Sequence, residues 1–401
     1  MDSTIRTDRL VAGGDAMGRD QDGRVVFVRG ALPGELVDVV IETEKRDFAR
    51  ARVADIVESS PDRVVPSCAH RRAGCGGCGW MHLDVVAQRA AKEEIVRESL
   101  RRIGRLEADE VERVVRSGGA VDQLGSRTTL RVIGDPDGRP SFRREASDET
   151  VAVSRCGVAH PNLGRILDVI EIEPGVEVEL RTSATTGAVT ARWKAQPKGT
   201  RAVNGMPADV HIGDRAWLVE SVAGHDLRVS APSFFQSSAQ AAELLVDAVR
   251  RSAPELAGAA HVLDAYGGVG LFAATAVSAA SRVTVLESSR SACFDAEHNL
   301  AGRDARVVRR EVARWEPDDV PIDIVVADPA RSGLGKPGVA ALSATAPVPL
   351  VLVSCDPVSL ARDASLLSGV GYGVESVEII DVFPQTPHVE TVTRFTHRDG
   401  Q

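Results

Sequence analysis

The chain has 401 residues, more than one ordinary core accommodates, so two or three domains are expected. Hydrophobic residues make up 43% and charged residues 26%, a globular balance, and no apolar run reaches the roughly 18 residues of a membrane span. The net charge is −9, which speaks against a uniformly basic nucleic-acid binder, but Lys and Arg outnumber Asp and Glu over residues 63–160. That segment holds Arg71-Arg72, Arg101-Arg102 and Arg143-Arg144, the kind of local basic surface that phosphate contact needs.

In chain order, residues 1–62 read as a small β domain. The N-terminal stretch from Met1 to Asp8 lacks the basic-then-apolar order of a secretory leader, so a cytoplasmic location is expected. Alternating runs at 24–29, 36–43 and 49–57, parted by Gly-containing turns, suit a small barrel of the oligonucleotide-binding kind. Three cysteines follow, Cys68, Cys75 and Cys78, with Gly76 and Gly77 between the last two. Clustered thiols in a cytoplasmic chain point to a metal rather than to disulfides. Their spacing leaves a structural zinc and a [4Fe–4S] cluster about equally open, and Cys156, 78 residues beyond Cys78, cannot be joined to them by spacing alone. A helix is predicted over 84–103, with Lys92, Glu93, Arg97 and Arg101 ranged around an apolar stripe. Residues 121–232 read as short strands and loops, a connecting or substrate-facing module within a central segment 63–232.

From residue 233 the pattern changes to α/β alternation. A helix over 238–252 leads into strand-like runs at 261–265, 282–287, 306–309, 323–327 and 350–354, with helical stretches between them. This is the signature of a doubly wound parallel sheet, and a closing pair at 374–382 and 391–396 suits a methyltransferase-type sheet. The first strand ends in Asp264-Ala265-Tyr266-Gly267-Gly268-Val269-Gly270, where glycines allow the backbone to approach a ligand, and the second ends at Glu287, placed for ribose hydroxyls. The same residues fit a dinucleotide fingerprint, so a nicotinamide enzyme is a rival here. What lies downstream removes it: Asp328-Pro329-Ala330-Arg331 and Ser354-Cys355-Asp356-Pro357 both fall at carboxyl ends of strands, and hydride transfer has no use for a cysteine there.

Cys355, beside a predicted helix start, is placed for a lowered thiol pKa, whereas Cys293 within a helical stretch reads as a buried small hydrophobe. Glu390 follows a loop fixed by Pro384 and Pro387 and begins a strand. A thiol, a carboxylate and a methyl donor are the minimum kit for methylating uracil carbon 5, since thiolate addition to carbon 6 makes carbon 5 nucleophilic.

Taken in order, Phe234-Phe235-Gln236, Asp264 to Gly270, Asp328 to Arg331, Ser354 to Pro357 and His388-Val389-Glu390 resemble the bacterial RNA uridine-5-methyltransferase family over essentially the whole chain. The resemblance implies an S-adenosylmethionine-dependent enzyme with Cys355 as nucleophile and Glu390 as proton acceptor. It implies cofactor contacts from Gln236, Tyr266, Gly268, Gly270, Glu287 and Asp328, with Glu311 near the adenine. One branch carries a TRAM domain, matching residues 1–62, and a [4Fe–4S] cluster, matching Cys68, Cys75, Cys78 and Cys156. Enzymes of that branch act on 23S ribosomal RNA, and related ones on transfer RNA, so an RNA-binding monomer flipping one uridine out of a folded loop is expected. Three positions depart from the usual pattern: Ala330 for Pro, Asp356 for Asn and Gly267 for Cys. Cytosine-5 enzymes use a Pro-Cys pair, which this chain lacks. A catalytically idle RNA-binding assembly factor is disfavoured because both reacting groups are present.

Overall fold

The structure is a computed structural model that describes residues 3–194, 202–345 and 348–398, so small parts of all three predicted segments lie outside the described residues. Five strands, β1 (Ser3–Leu10), β2 (Ala16–Arg19), β3 (Val25–Arg29), β4 (Leu36–Glu44) and β5 (Phe48–Glu58), close into a barrel in the order β1-β2-β3-β5-β4. Their inward residues, among them Ile5, Val26, Val28, Val37 and Val39, are fully buried, as the period-two pattern requires. After the barrel come a single turn α1 (Ala69–Arg72), the helix α2 (Val85–Arg102) and α3 (Ala108–Val114). Asp84 caps α2 by accepting the Val86 N–H at 2.9 Å.

Strand β6 (Val115–Ala120) precedes the central module, which is built on β7 (Thr129–Gly134), β8 (Pro140–Arg143), β9 (Thr150–Ala152), helix α4 (Pro161–Leu167), the pair β10 (Glu171–Ile172) and β13 (Val203–Asn204), and β11 (Glu177–Thr182), β12 (Val189–Trp193) and β14 (Val210–Ile212). Six of these strands form one sheet, β14-β12-β11-β7-β8-β9, with its own core around Leu163, Ile166 and Leu180. The predicted short strands therefore make a sheet of their own. A hairpin, β15 (Trp217–Val222) and β16 (His225–Ser230), leads on to the C-terminal part.

That part alternates α5 (Ala239–Ser252), β17 (His261–Ala265), α6 (Leu271–Thr275), β18 (Arg282–Glu287), α7 (Arg290–Asn299), β19 (Ala305–Arg309), β20 (Ile324–Ala327), α8 (Gly335–Ser343), β21 (Leu350–Ser354), α9 (Pro357–Ser368), β22 (Tyr372–Asp381) and β23 (Glu390–His397). The sheet order is β19-β18-β17-β20-β21-β23-β22-β6, with β23 antiparallel to both neighbours. Strands β17, β20 and β21 are buried on both faces, which is why they read as unbroken apolar runs. Alternate residues feed two apolar layers: Ile324 and Val326 face the side of α5 and α6, while Val325 and Ala327 face the side of α2, α8 and α9.

Two features differ from the sequence reading. Strand β6 runs parallel to β22 and completes the C-terminal sheet, although it comes before the central module. Lys92 is not on a solvated flank of α2. It is 1% exposed and donates to Asp381 Oδ1 at 2.6 Å and to the Phe383 carbonyl at 2.9 Å. The helix is buried on two sides, because Ile95 packs into the barrel core while Val96 and Leu100 pack against the large sheet.

Candidate active site

The first two strand ends of the large sheet set the cofactor loop. Tyr266, Gly268 and Gly270 have φ of 60°, 56° and 82°, so the chain after β17 turns through left-handed backbone. A side chain at Gly267 would meet Val285 at 2.6 Å from its Cβ, so the turn has no room for one here. Glu287, at the end of β18, accepts the Gly268 N–H at 3.0 Å and the Ser289 N–H at 2.6 Å, and thereby ties the loop to the next turn. Asp264 is fully buried. One of its oxygens accepts the Ala273 N–H at 3.0 Å, and the other is without a partner. Burial, reinforced by the Glu287 charge, pushes its carboxyl up to about 7 despite that hydrogen bond. An unpaired buried carboxylate oxygen beside a glycine turn fits a ligand that brings a positive charge.

Asp328, just beyond β20, accepts a hydrogen bond from Gln236 Nε2 at 3.1 Å. Its carboxyl is also raised, by desolvation first and by Asp264 second. Glu311 stands apart from this group. It is exposed, ion-paired to Arg314 at 3.2 Å, and lines a shallow recess with Ser288 next to Glu287.

Cys355 and Glu390 come together through strand register. In the antiparallel pair β21–β23, Leu350 lies opposite Phe395 and Ser354 opposite Thr391. One step further along that register, Cys355 falls opposite Glu390. Asp356 then caps α9 by accepting the Ser359 N–H at 2.7 Å, with Pro357 as the first helical residue. The helix start was expected to lower the thiol pKa. Instead, burial followed by the charges of Glu390 and Asp328 pushes it up to about 12, with Arg331 opposing. Glu390 is itself 3% exposed and raised well above the usual carboxylate range, by burial and then by Asp328. Burial and two carboxylates beside one thiol outweigh a helix terminus.

Sequence reasoning named Arg331 and His388 only in passing, yet both face this group. Arg331 Nη2 lies 3.3 Å from His388 Nε2, and the His388 ring stands edge-on to Phe383. Burial and the Arg331 charge bring the His388 pKa down to about 4, so the ring is neutral at physiological pH.

A cleft of about 680 Å³ runs between the barrel, the central module and the large sheet. Its walls include Gly14, Trp80, Arg127, Arg181, Gln236 and His388. Phe234, 70% exposed, stands in it. The basic doublets seen in the sequence are spent elsewhere: Arg101 pairs with Glu94, Arg143 with Asp148 and Glu177, and Arg144 with Glu149. Arg127, by contrast, forms no ion pair among the described residues and lines the cleft.

The four predicted metal-site cysteines also gather. Burial raises the Cys75, Cys78 and Cys156 thiols, Cys78 to about 12, and each is raised further by neighbouring members of the set, Cys68 included. Cys75 Sγ accepts the Gly77 N–H at 3.5 Å. Among the described residues, no three His, Cys, Asp or Glu side chains converge as ligands of a single ion. Cys293 is buried on α7 with its thiol on the Glu287 carbonyl, as a small core residue. No helix among the described residues is long and apolar enough to cross a membrane.

Comparison with known proteins places the chain among relatives. Residues 7–54 match the TRAM domain. An uncharacterized RNA methyltransferase of Streptomyces avermitilis is 32% identical, over 95% of this chain and 94% of that protein. The 23S rRNA (uracil(1939)-C(5))-methyltransferase RlmD of Halomonas elongata is 30% identical, over 98% of this chain and 89% of that protein. The crystal structure of Pyrococcus abyssi tRNA (uracil-54, C5)-methyltransferase with S-adenosyl-L-homocysteine superposes with a TM-score of 0.73 at 23% identity, covering 99% of both chains, which establishes a shared fold.

Proposed function

The chain belongs to the RNA methyltransferase family that includes the 23S ribosomal RNA uracil-C5 enzymes, and from that premise we propose that it methylates carbon 5 of a uridine in 23S ribosomal RNA, with S-adenosylmethionine as donor. The observation that carries this reading is the β21–β23 register, which sets a thiol against a carboxylate beside the Gln236–Asp328 pair. Cys355 adds to carbon 6 as the thiolate, and the electron pair of the ring double bond moves toward carbon 5 and the O4 enolate. Bound S-adenosylmethionine supplies the methyl group and a positive charge. Carbon 5 takes the methyl as the sulfonium carbon–sulfur bond breaks. The proton on carbon 5 then passes to Glu390, the carbon–sulfur bond to Cys355 breaks, and the thiolate is released.

The raised thiol bears on the order of events. Burial and the neighbouring Glu390 and Asp328 carboxyls hold the Cys355 thiol up while Arg331 opposes them, so its proton must pass to solvent before the thiolate adds. Gln236, Tyr266, Gly268, Gly270, Glu287 and Asp328 hold the donor in this reading, with Glu311 at the outer, adenine end. The RNA lies in the cleft against Arg127, with the target uridine turned inward past Phe234.

Cys68, Cys75, Cys78 and Cys156 hold a [4Fe–4S] cluster in the same reading. A cluster takes one thiolate per iron, and the resemblance to the cluster-bearing branch favours it over zinc. Methyl transfer involves no redox change, so its part is structural.

The test separates the two reacting groups. Cys355→Ala should abolish both methylation and any covalent protein–RNA complex. Glu390→Gln should slow adduct resolution by about 10²–10⁴-fold, the usual worth of a general base, leaving a methyl-labelled adduct on a denaturing gel. A Glu390→Gln enzyme that turns over normally would overturn the assignment and pass the role to neutral His388. Parallel assays on 23S ribosomal and transfer RNA transcripts decide the substrate.

A further inference from the structure

The loop 382–389 between β22 and β23 presents His388 and leads directly into Glu390. It is held from behind by residues that take no part in the reaction. Gln88, on α2 and fully buried, forms a reciprocal amide pair with Gln385: its Oε1 accepts the Gln385 backbone N–H at 2.9 Å, and its Nε2 donates to Gln385 Oε1 at 3.0 Å. The same Nε2 lies 2.9 Å from the Leu83 carbonyl and 3.1 Å from the Trp80 carbonyl. Trp80, two residues beyond Cys78, donates its backbone N–H to the Gln385 carbonyl at 2.9 Å and its indole N–H to the Gly14 carbonyl of the barrel at 3.1 Å. Gln385 itself sits at a φ of 65°, a left-handed conformation that a non-glycine residue keeps only where its surroundings impose it.

Every polar group of the Gln385 backbone is therefore committed to α2 or to the cysteine-bearing segment. We propose that Gln88 is a positioning residue for the methylation reaction, fixing with Trp80 the loop that delivers Glu390 and so tying the reacting groups to the cysteine segment and the barrel. This rests on Glu390 as the base. Loss of Gln88 takes their Gln88 partner from the Gln385 N–H, Gln385 Oε1 and the Leu83 carbonyl in a dry site, so the loop must shift to find other partners. A displacement of about 1 Å in a reacting group costs up to about 100-fold in rate. Because the thiol follows β21 and the donor loop follows β17, that cost falls on proton removal and not on methyl transfer.

Full-length protein is assayed with methyl-labelled S-adenosylmethionine on unmodified 23S ribosomal and transfer RNA transcripts. Gln88→Ala should accumulate labelled protein–RNA adduct, with resolution slowed up to about 100-fold, while the first burst of methyl transfer and S-adenosylhomocysteine affinity stay at wild-type values. Gln385→Ala keeps both main-chain bonds and should show a smaller effect in the same sense, which decides the matter if Gln88→Ala fails to fold. Activity that falls only in step with the folded fraction, without adduct in either variant, overturns the inference. Glu390→Gln serves as control: if it accumulates no labelled adduct, the reading of Glu390 as base fails instead. Amide hydrogen exchange over residues 383–389 then judges the loop by itself, and unchanged protection in Gln88→Ala rules out the positioning role.

Discussion

Asp264 holds its proton up to about pH 7 because its side chain has been taken out of water with a single N–H to compensate it. Its carboxyl rises from the ordinary 3.8 to about 7, so the folded protein holds this proton more tightly than the unfolded chain does. Stability linked to such a group is complete below the unfolded pKa and is lost as pH rises through the folded one. The ligand-free protein should therefore show a melting temperature that declines between about pH 4 and pH 7, and Asp264→Asn should flatten that decline. Thermal melts across a pH series measure both; an Asp264→Asn profile as steep as wild type would place the effect elsewhere. The sequence marked this position only as the head of a glycine motif. It likewise marked Cys355 as the start of a helix and so anticipated a more acidic thiol. The carboxylates that reverse that expectation arrive from β20 and from β23, and no local pattern around residue 355 reveals them.

At the level of elements, the reading from sequence was closest where periodicity is strongest. The runs at 261–265, 282–287 and 350–354 became strands with those bounds, since parallel strands covered on both faces must be continuously apolar. It was weakest on α2, where Lys92 looked like one more solvated charge and is instead buried against Asp381. A helix wedged between two cores leaves no outward face for a lysine at that turn. The cysteine segment shows the same mixture. Its spacing raised the expectation of a metal, but its attachment through Trp80 to the loop before Glu390 was invisible. Anaerobically purified protein should contain about four irons per chain. Cys75→Ser should lose them and lower the melting temperature by roughly 4 °C, the shift that a loss of about 3 kcal/mol gives at about 2.1 cal/mol/K per residue in a chain of this size. Stoichiometric zinc without iron would remove the cluster and leave the methyltransferase chemistry intact.

Over the whole molecule, what the sequence could not convey was convergence. The barrel, the central sheet and the catalytic sheet each followed from local patterns, whereas the cleft they enclose depends on contacts between residues hundreds of positions apart, such as Gln88 with Gln385. Strand β6 belongs to this class, and its place at the edge of the large sheet has a consequence for synthesis on the ribosome. Val115 is made early and pairs in register with Val377, so the nascent chain carries an unsatisfied strand until almost the last residues have emerged. Its apolar neighbours on α2 and α3, Val96, Leu100 and Val111, wait with it for the same layer to close. Unpaired strand edges and uncovered apolar faces are what make partly made chains aggregate. A chain stopped after Gly371, which lacks β22 and β23, should therefore collect in the insoluble fraction. Recovery of that shortened chain in soluble, cooperatively melting form would show that the early strand finds cover before its late partner is born.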